Sequence, residues 1–416
     1  MTRRPPVPRG SMQFSGGQTR AAIRALLGPD PRQAVAEFET AFARHVGARH
    51  AIAVSSGKAA LALILRGLDA REGEGLILPS YNVPEVPSIV AGLGLRPVFA
   101  DLDPRTATLD PDDVGRAAKD GARFLLCTHL YGNPADLAAM SAVADRHGLV
   151  LLEDCAQSLG ARFRGRPVGS FGRAALYSFG PMKNLNTLRG GMVVTDDDDL
   201  AGRVRLQVAS LPRDGRLPVA TGLVTALGLW VATRRRIFGL AVLPGVRAVE
   251  RLAPGLLDDG LKMRPAAFES GRLDAGPLTF RMNGTEAVIG LAGLEVVETA
   301  TRLRVRNADR LAAALGDVPG VQVPRAVPGS EPAWINFVVR VADRPRVRRA
   351  LLRRGIDTTP GYLSACHEMP AFGPGSRDCP VSTALVKEAL YLPIWPELGP
   401  DDMDFIAWGV AGARGG

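Results

Sequence analysis

Between Ala51 and Val194 the chain alternates short, nearly continuous apolar runs with helix-like stretches, and this alternation restricts the fold more than any other feature. Ala51-Ile52-Ala53-Val54 reads as a strand, after which Ser55-Ser56-Gly57 opens a helix through Ala60, Leu61, Leu63, Ile64 and Leu68. Leu76–Leu78, Pro97–Asp101, Phe124–Thr128 and Leu149–Glu153 follow as strands, with helical segments such as Asp136–His147 between them. Strands this uniformly apolar belong in a parallel sheet covered by helices on both faces. The expected fold class is therefore α/β, with a mainly parallel central sheet. Ligands of such sheets gather at the carboxyl ends of the strands. Polar residues stand at those ends: Ser55-Ser56-Gly57-Lys58, Ser80-Tyr81-Asn82, His129 with Tyr131, and Asp154 with Gln157. Lys183 comes later on the same side.

Lys183 carries the most chemistry. The sequence holds five lysines (Lys58, Lys119, Lys183, Lys262, Lys387) among 51 basic residues. One of them is kept on the short loop between Ala174–Phe179 and the glycine pair Gly190-Gly191. Arginine does not give up its proton, whereas a desolvated lysine does and can form a Schiff base with a carbonyl. A surface lysine is the plain alternative, and the five converging polar sets argue against it. Asp154 can serve a cationic partner or cap a helix. The backbone N–H groups of Ser56-Gly57-Lys58, at a helix start, form an anion site or a simple cap.

A chain of 416 residues is long for one core and fits two domains. We expect a flexible tail over residues 1–20, a large domain over 21–284 and a small C-terminal α+β domain over 285–416. Pro345 suits the first turn of a helix in the latter. The net charge of +9 is spread along the chain without a helix-turn-helix pattern or a basic stripe, so nucleic acid is not an expected partner. Cys127, Cys155, Cys366 and Cys379 form no CxxC pair and no metal-ligand spacing, which implies free thiols and no metal. With no apolar secretory segment at the N-terminus, a cytoplasmic protein is expected.

An apolar insertion occupies about residues 206–277. Leu217–Thr233 is almost wholly apolar, Arg234-Arg235-Arg236 follows, and Ile237–Pro244 is apolar again. Its length is at the short limit for a membrane span. Two readings stand. In one, a hairpin over Leu217 to Pro244 makes peripheral contact with the inner membrane face through its arginines. In the other, it packs on a dimer or over the active-site mouth.

Taken together, these motifs resemble the DegT/DnrJ/EryC1/StrS family of pyridoxal 5'-phosphate (PLP) sugar aminotransferases. The resemblance runs from about Glu37 to the C-terminus. It is carried by Val54-Ser55-Ser56-Gly57, His129-Leu130-Tyr131-Gly132, Glu153-Asp154-Cys155-Ala156-Gln157, Gly169-Ser170-Phe171-Gly172, Ser178-Phe179 with Lys183-Asn184, Gly190-Gly191-Met192, Arg281-Met282 and Leu392-Pro393 with Trp395-Pro396. It implies the fold-type I transferase architecture and a homodimer with shared active sites. It also implies transfer of an amino group from a donor such as glutamate to a keto sugar, most often nucleotide-linked. By resemblance Lys183 holds the cofactor and moves the proton, Asp154 pairs with the ring nitrogen and Gln157 reaches the ring's phenolic oxygen. Ser56, Gly57, Lys58 and Ser178 would surround the phosphate. Tyr81, His129, Arg281 and His367 fall near the substrate, His367 with an equally good structural reading.

Three positions depart from the family pattern. Lys58 replaces a threonine, Val83 an aromatic ring over the cofactor, and Thr279 a partner-subunit asparagine. Such changes bear on substrate and cofactor affinity, and they leave open a non-catalytic or regulatory relative on the same fold. A sugar dehydratase of this family would carry histidine in place of Lys183.

Overall fold

The computed structural model describes residues 4–253, 256, 280–373 and 377–413. Its centre is a seven-stranded sheet. The strands are β1 (His50–Val54), β2 (Gly75–Pro79), β3 (Arg96–Ala100), β4 (Ala122–Thr128), β5 (Val150–Asp154), β6 (Ala174–Ser178) and β7 (Gly191–Thr195). They lie side by side as β1-β7-β6-β5-β4-β2-β3. The β3, β2, β4, β5 and β6 neighbours are parallel, while β7 runs antiparallel to both β6 and β1. The expected mainly parallel α/β sheet is the one found. Strands β2, β4, β5 and β7 are buried on both faces apart from a few end residues, because helices cover the sheet on each side. One layer is the aromatic cluster of helix α2 (Ala34–Val46), where Phe38 and Phe42 meet Tyr177 and Phe179 edge to face. The other is the alanine- and leucine-rich α3 (Gly57–Gly67), buried along nearly its whole length.

A second sheet, β8 (Val321–Gln322), β9 (Phe337–Val341) and β10 (Ala389–Leu392), builds the small C-terminal unit. The apolar helix α4 (Leu217–Ala232) precedes a 32-residue helix, α5 (Gly284–Leu315). A capping box at Asn283 and Glu286 starts α5 by satisfying two exposed N–H groups. Its first turns belong to the large-domain core through Ala287 and Val297. Its last turns join the small unit's core through Ala308, Leu311 and Leu315. The helix that begins at the expected 284/285 boundary therefore serves both cores.

The expected loose tail over residues 1–20 is corrected by the structure. Val7 is fully buried and bridges Ile356 in parallel, and the Arg9 guanidinium makes two hydrogen bonds to Asp357, at 2.7 and 2.9 Å. From Gly16 the chain is already helix α1 (Gly16–Leu27), capped by Ser15 and Gln18. Partners some 350 positions away hold a segment whose own composition suggests disorder.

Candidate active site

Five strand ends and one loop build the site. At the end of β1, Ser56 caps α3 by accepting the Ala59 N–H at 3.1 Å, and it bridges Gly190 next to β7. The backbones crowd closely here. A Cβ on Gly57 would lie 2.8 Å from that of Ser178, and one on Gly191 would lie 2.5 Å from the Ser56 carbonyl carbon. Glycine at both positions lets the α3 N-terminus, with its free N–H groups, approach the ends of β6 and β7. The Ser55 hydroxyl is buried there without a hydrogen-bond partner.

Asp154 ends β5 in register with Thr128 and Leu176. Its Oδ1 accepts the Ala156 N–H at 2.9 Å, and Oδ2 has no hydrogen-bond partner among the described residues. Burial pushes its carboxyl pKa up, partly opposed by the positive charge of Lys183. The reciprocal effect holds at Lys183: packing around the amine lowers its pKa, and Asp154 pulls it back up. The residue as a whole keeps intermediate exposure, while its amine is poorly solvated. An amine shifted towards neutrality beside an uncommitted buried carboxylate is the arrangement of a reactive site.

Gln157 accepts the Tyr131 N–H at 3.0 Å through Oε1, so its amide NH2 is left to donate elsewhere. Tyr131 takes a positive φ of 62° to present that N–H. Glu153 is wholly buried and accepts from the backbone N–H groups of Gly169, Phe171 and Gly172 at 2.7 Å each. It also accepts from the His129 Nε2–H at 3.1 Å. Burial raises its pKa, but those four donors outweigh burial and hold it low. Glu153, which sequence reasoning left out of the site, thus clamps the Gly169–Gly172 loop to β5. Its signal was its place in the Glu153-Asp154 pair.

Of the residues expected near the substrate, Tyr81 is buried at the front of the sheet. His129 has both ring nitrogens committed, Nδ1 accepting the Ala135 N–H at 3.1 Å and Nε2 bound to Glu153, so its polar atoms are not offered to a ligand. His367 Nδ1 lies 2.6 Å from the Ser80 hydroxyl, which ties the Cys366–Glu368 turn to the end of β2. Arg281 bridges Arg213 beside α4, with a buried Nε that lacks a partner among the described residues. Lys58 points to Glu85, at 3.9 Å, and is about half exposed. Val83 is partly buried and packs against both large-domain clusters. Thr279 lies outside the described residues.

A tyrosine cluster, unmarked in the linear pattern, stands beside these residues. Tyr81, Tyr131, Tyr391 and Tyr362, four of the chain's five tyrosines, chain together with centroid separations of 6.3, 5.6 and 6.0 Å. Burial pushes the Tyr362 phenol up to about 12, and the charge of Asp154 adds to that rise. The Tyr362 phenol thereby comes within electrostatic reach of Asp154. Two clefts elsewhere run along α5 past Arg302, and neither is lined by Lys183, Asp154 or Gln157.

Comparison with known proteins bears on the chain and its fold as a whole. The sequence pattern of the DegT/DnrJ/EryC1/StrS aminotransferase family matches residues 29–218 and 260–410. The dTDP-3-amino-3,4,6-trideoxy-alpha-D-glucose transaminase of Streptomyces venezuelae is 33% identical over 379 residues, 90% of this chain and 84% of that protein. The crystal structure of S. venezuelae DesV superposes with a TM-score of 0.77 at 28% identity, covering 99% of both chains. That of DesI, determined with its TDP-sugar product, gives 0.74 at 28% identity, covering 99% of this chain and 94% of the other.

Proposed function

Since this chain belongs to the DegT/DnrJ/EryC1/StrS aminotransferase family, we propose that it is a PLP-dependent enzyme that aminates a nucleotide-linked keto sugar with an amino-acid donor such as glutamate. The observation that carries this reading is the placing of a desolvated Lys183 amine and the buried Asp154 carboxyl, whose Oδ2 has no partner among the described residues, within electrostatic reach of each other at the mouth of the sheet. The residues present suit the cofactor. Asp154 has an oxygen to spare for the ring nitrogen, Gln157 has a free amide NH2 for the phenolic oxygen, and the α3 N-terminus with the Ser55, Ser56 and Ser178 hydroxyls suits a phosphate. When bound, PLP supplies an aldehyde for the amine and a ring that draws off charge as a C–H bond breaks.

The chain's own part is proton handling and positioning. The Lys183 Nζ, held towards neutrality by poor solvation, takes a proton from the carbon that bears the amine and later returns one. Asp154 would keep the ring nitrogen protonated, because a buried carboxylate gains from an adjacent positive charge. Gln157, fixed by Tyr131, keeps its donor aimed without rotating. Tyr81, Tyr362 and Tyr391 form a wall against which a sugar would sit. The exposed Met182 beside Lys183 is a surface that a second protomer would cover, consistent with a homodimer whose sites are shared, and Arg281 would serve the partner's site.

The test uses purified protein loaded with PLP. An absorbance band from the Lys183 linkage is expected, absent in Lys183→Ala, together with nitrogen transfer from glutamate to one of a panel of keto-sugar nucleotides. Failure to take up PLP would turn the reading towards a non-catalytic relative. Uptake without transfer to any sugar would keep the aminotransferase and remove the sugar.

A further inference from the structure

The family pattern stops at residue 218 and resumes at 260, and the segment between is where the surface is least like that of a water-soluble enzyme. From Leu217 to Thr233 there is no charged side chain, and α4 is apolar on all sides. Such a helix belongs in a protein interior or in lipid. Among the described residues only one side of it is covered, where Val219, Leu223 and Ala226 pack with Met12, Ala22, Leu188 and Ile289. The opposite stripe, Leu217, Val224 and Val231 at seven-residue spacing, is 74%, 71% and 44% exposed.

The second arm, Arg235–Leu252, leaves α4 at 67°. Phe238 and Leu243 seat it on Leu352, and Arg235 ties it to Asp402 at 2.8 Å. Ile237 and Leu240 nevertheless face outward, Leu240 with 84% exposure. At the bend the Arg234 guanidinium lies 3.8 Å over the Trp230 ring. Arg234 and Arg236 are exposed and pair with no carboxylate among the described residues. No single described helix is long and apolar enough to cross a membrane. The 16 residues of α4 reach about 24 Å, against about 30 Å of hydrocarbon.

We propose that this bent hairpin is a monotopic docking element for an anionic lipid bilayer. The Leu217–Val224–Val231 stripe and Leu240 enter the acyl boundary, Trp230 sits at the interface, and Arg234 and Arg236 meet the headgroup phosphates. Charge selects lipid over a second copy. On a chain of net charge +9, the exposed Arg234 and Arg236 are neutralised by anionic headgroups, whereas the same stretch of a second copy, Leu217–Pro244, holds no carboxylate to meet them.

Flotation of the full chain, loaded with PLP, with phosphatidylcholine vesicles tests the idea, with and without an equimolar share of phosphatidylglycerol. Co-flotation is expected with the anionic vesicles only. The double variant R234E/R236E lowers partitioning at least about tenfold, because each basic side chain near an anionic surface contributes about fivefold. V224E/L240E abolishes partitioning, while both variants keep the thermal midpoint and PLP uptake of the unaltered protein. Absence of flotation on anionic vesicles overturns the proposal. So does a V224E/L240E protein that floats unchanged, or one whose dimer falls to a monomer while the unaltered protein ignores vesicles, which would assign the face to a second copy. None of these readings depends on sugar amination.

Discussion

The carbonyl oxygen of the Gln157 side chain accepts the backbone N–H of Tyr131 at 3.0 Å, and this one bond decides which end of the amide faces the site. A glutamine free to flip would present acceptor or donor with equal ease. Here the buried N–H of Tyr131 has a claim on the oxygen, so the NH2 is the end on offer.

Two substitutions at Gln157 separate orientation from stability. Gln157→Glu keeps an acceptor for Tyr131 but removes the donor, so the fold should hold while PLP affinity falls about tenfold, the worth of one hydrogen bond of about 1.4 kcal/mol. Gln157→Ala strands the buried Tyr131 N–H and should also destabilise the protein, by about 1–3 kcal/mol. Equilibrium PLP titration and denaturant unfolding check the pair; equal loss of stability in both would refute the assignment.

The lowered pKa of Lys183 predicts a pH signature. The folded amine gives up its proton below the ordinary value of 10.5, so its reaction with PLP should reach full rate below that pH. Asp154 holds that pKa up, so Asp154→Asn should move the limb of the uptake rate further down in pH. For stability the sign is positive with pH. Between the folded pKa and 10.5 the unfolded chain binds more protons, and the apoprotein gains stability as pH rises through that window. Stopped-flow uptake and thermal midpoints across pH would test both statements.

Glu153 carries the same sign at acid pH, but from hydrogen-bond donors that favour its charge rather than from burial. Its folded pKa lies below the ordinary 4.5, so its contribution is full above that value and fades as pH falls through the folded pKa. Glu153→Gln would set an NH2 among three backbone donors and His129, at a cost of about 3–5 kcal/mol, comparable to breaking a buried ion pair. Acid unfolding monitored by circular dichroism should show a shallower low-pH dependence in the variant. An unchanged slope would remove Glu153 from the account.

At the N-terminus, Arg9→Ala leaves the nearly buried Asp357 carboxylate without its two-pronged partner. We expect a loss of about 1–3 kcal/mol with little change in PLP affinity, since the contact lies on the small unit. Deleting residues 1–9 should lower stability further through the loss of buried Val7. A truncated protein as stable as the whole would show that the segment only rests on the surface.

Strand positions were legible because burial on both faces writes itself into four or five consecutive apolar residues, and β1 to β5 lie within a residue or two of the expected runs. Ser56 as a cap, Asp154 at a strand end and Lys183 on a loop were equally legible, each being fixed by its neighbours along the chain. His129 and His367 were not. A histidine's role depends on what meets its two nitrogens, and Glu153, Ala135 and Ser80 come from other parts of the chain.

Local order along the backbone thus sufficed to specify the sheet, its reactive edge and the types of side chain placed there, since each follows from residues a few positions apart. Contacts between segments tens to hundreds of positions apart decided the rest: the seat of Val7 and Arg9, the four-tyrosine cluster, the donors gathered by Glu153 and which side of α4 stays bare. Those depend on packing between distant segments, and a linear pattern carries no record of which surface will come to lie against which.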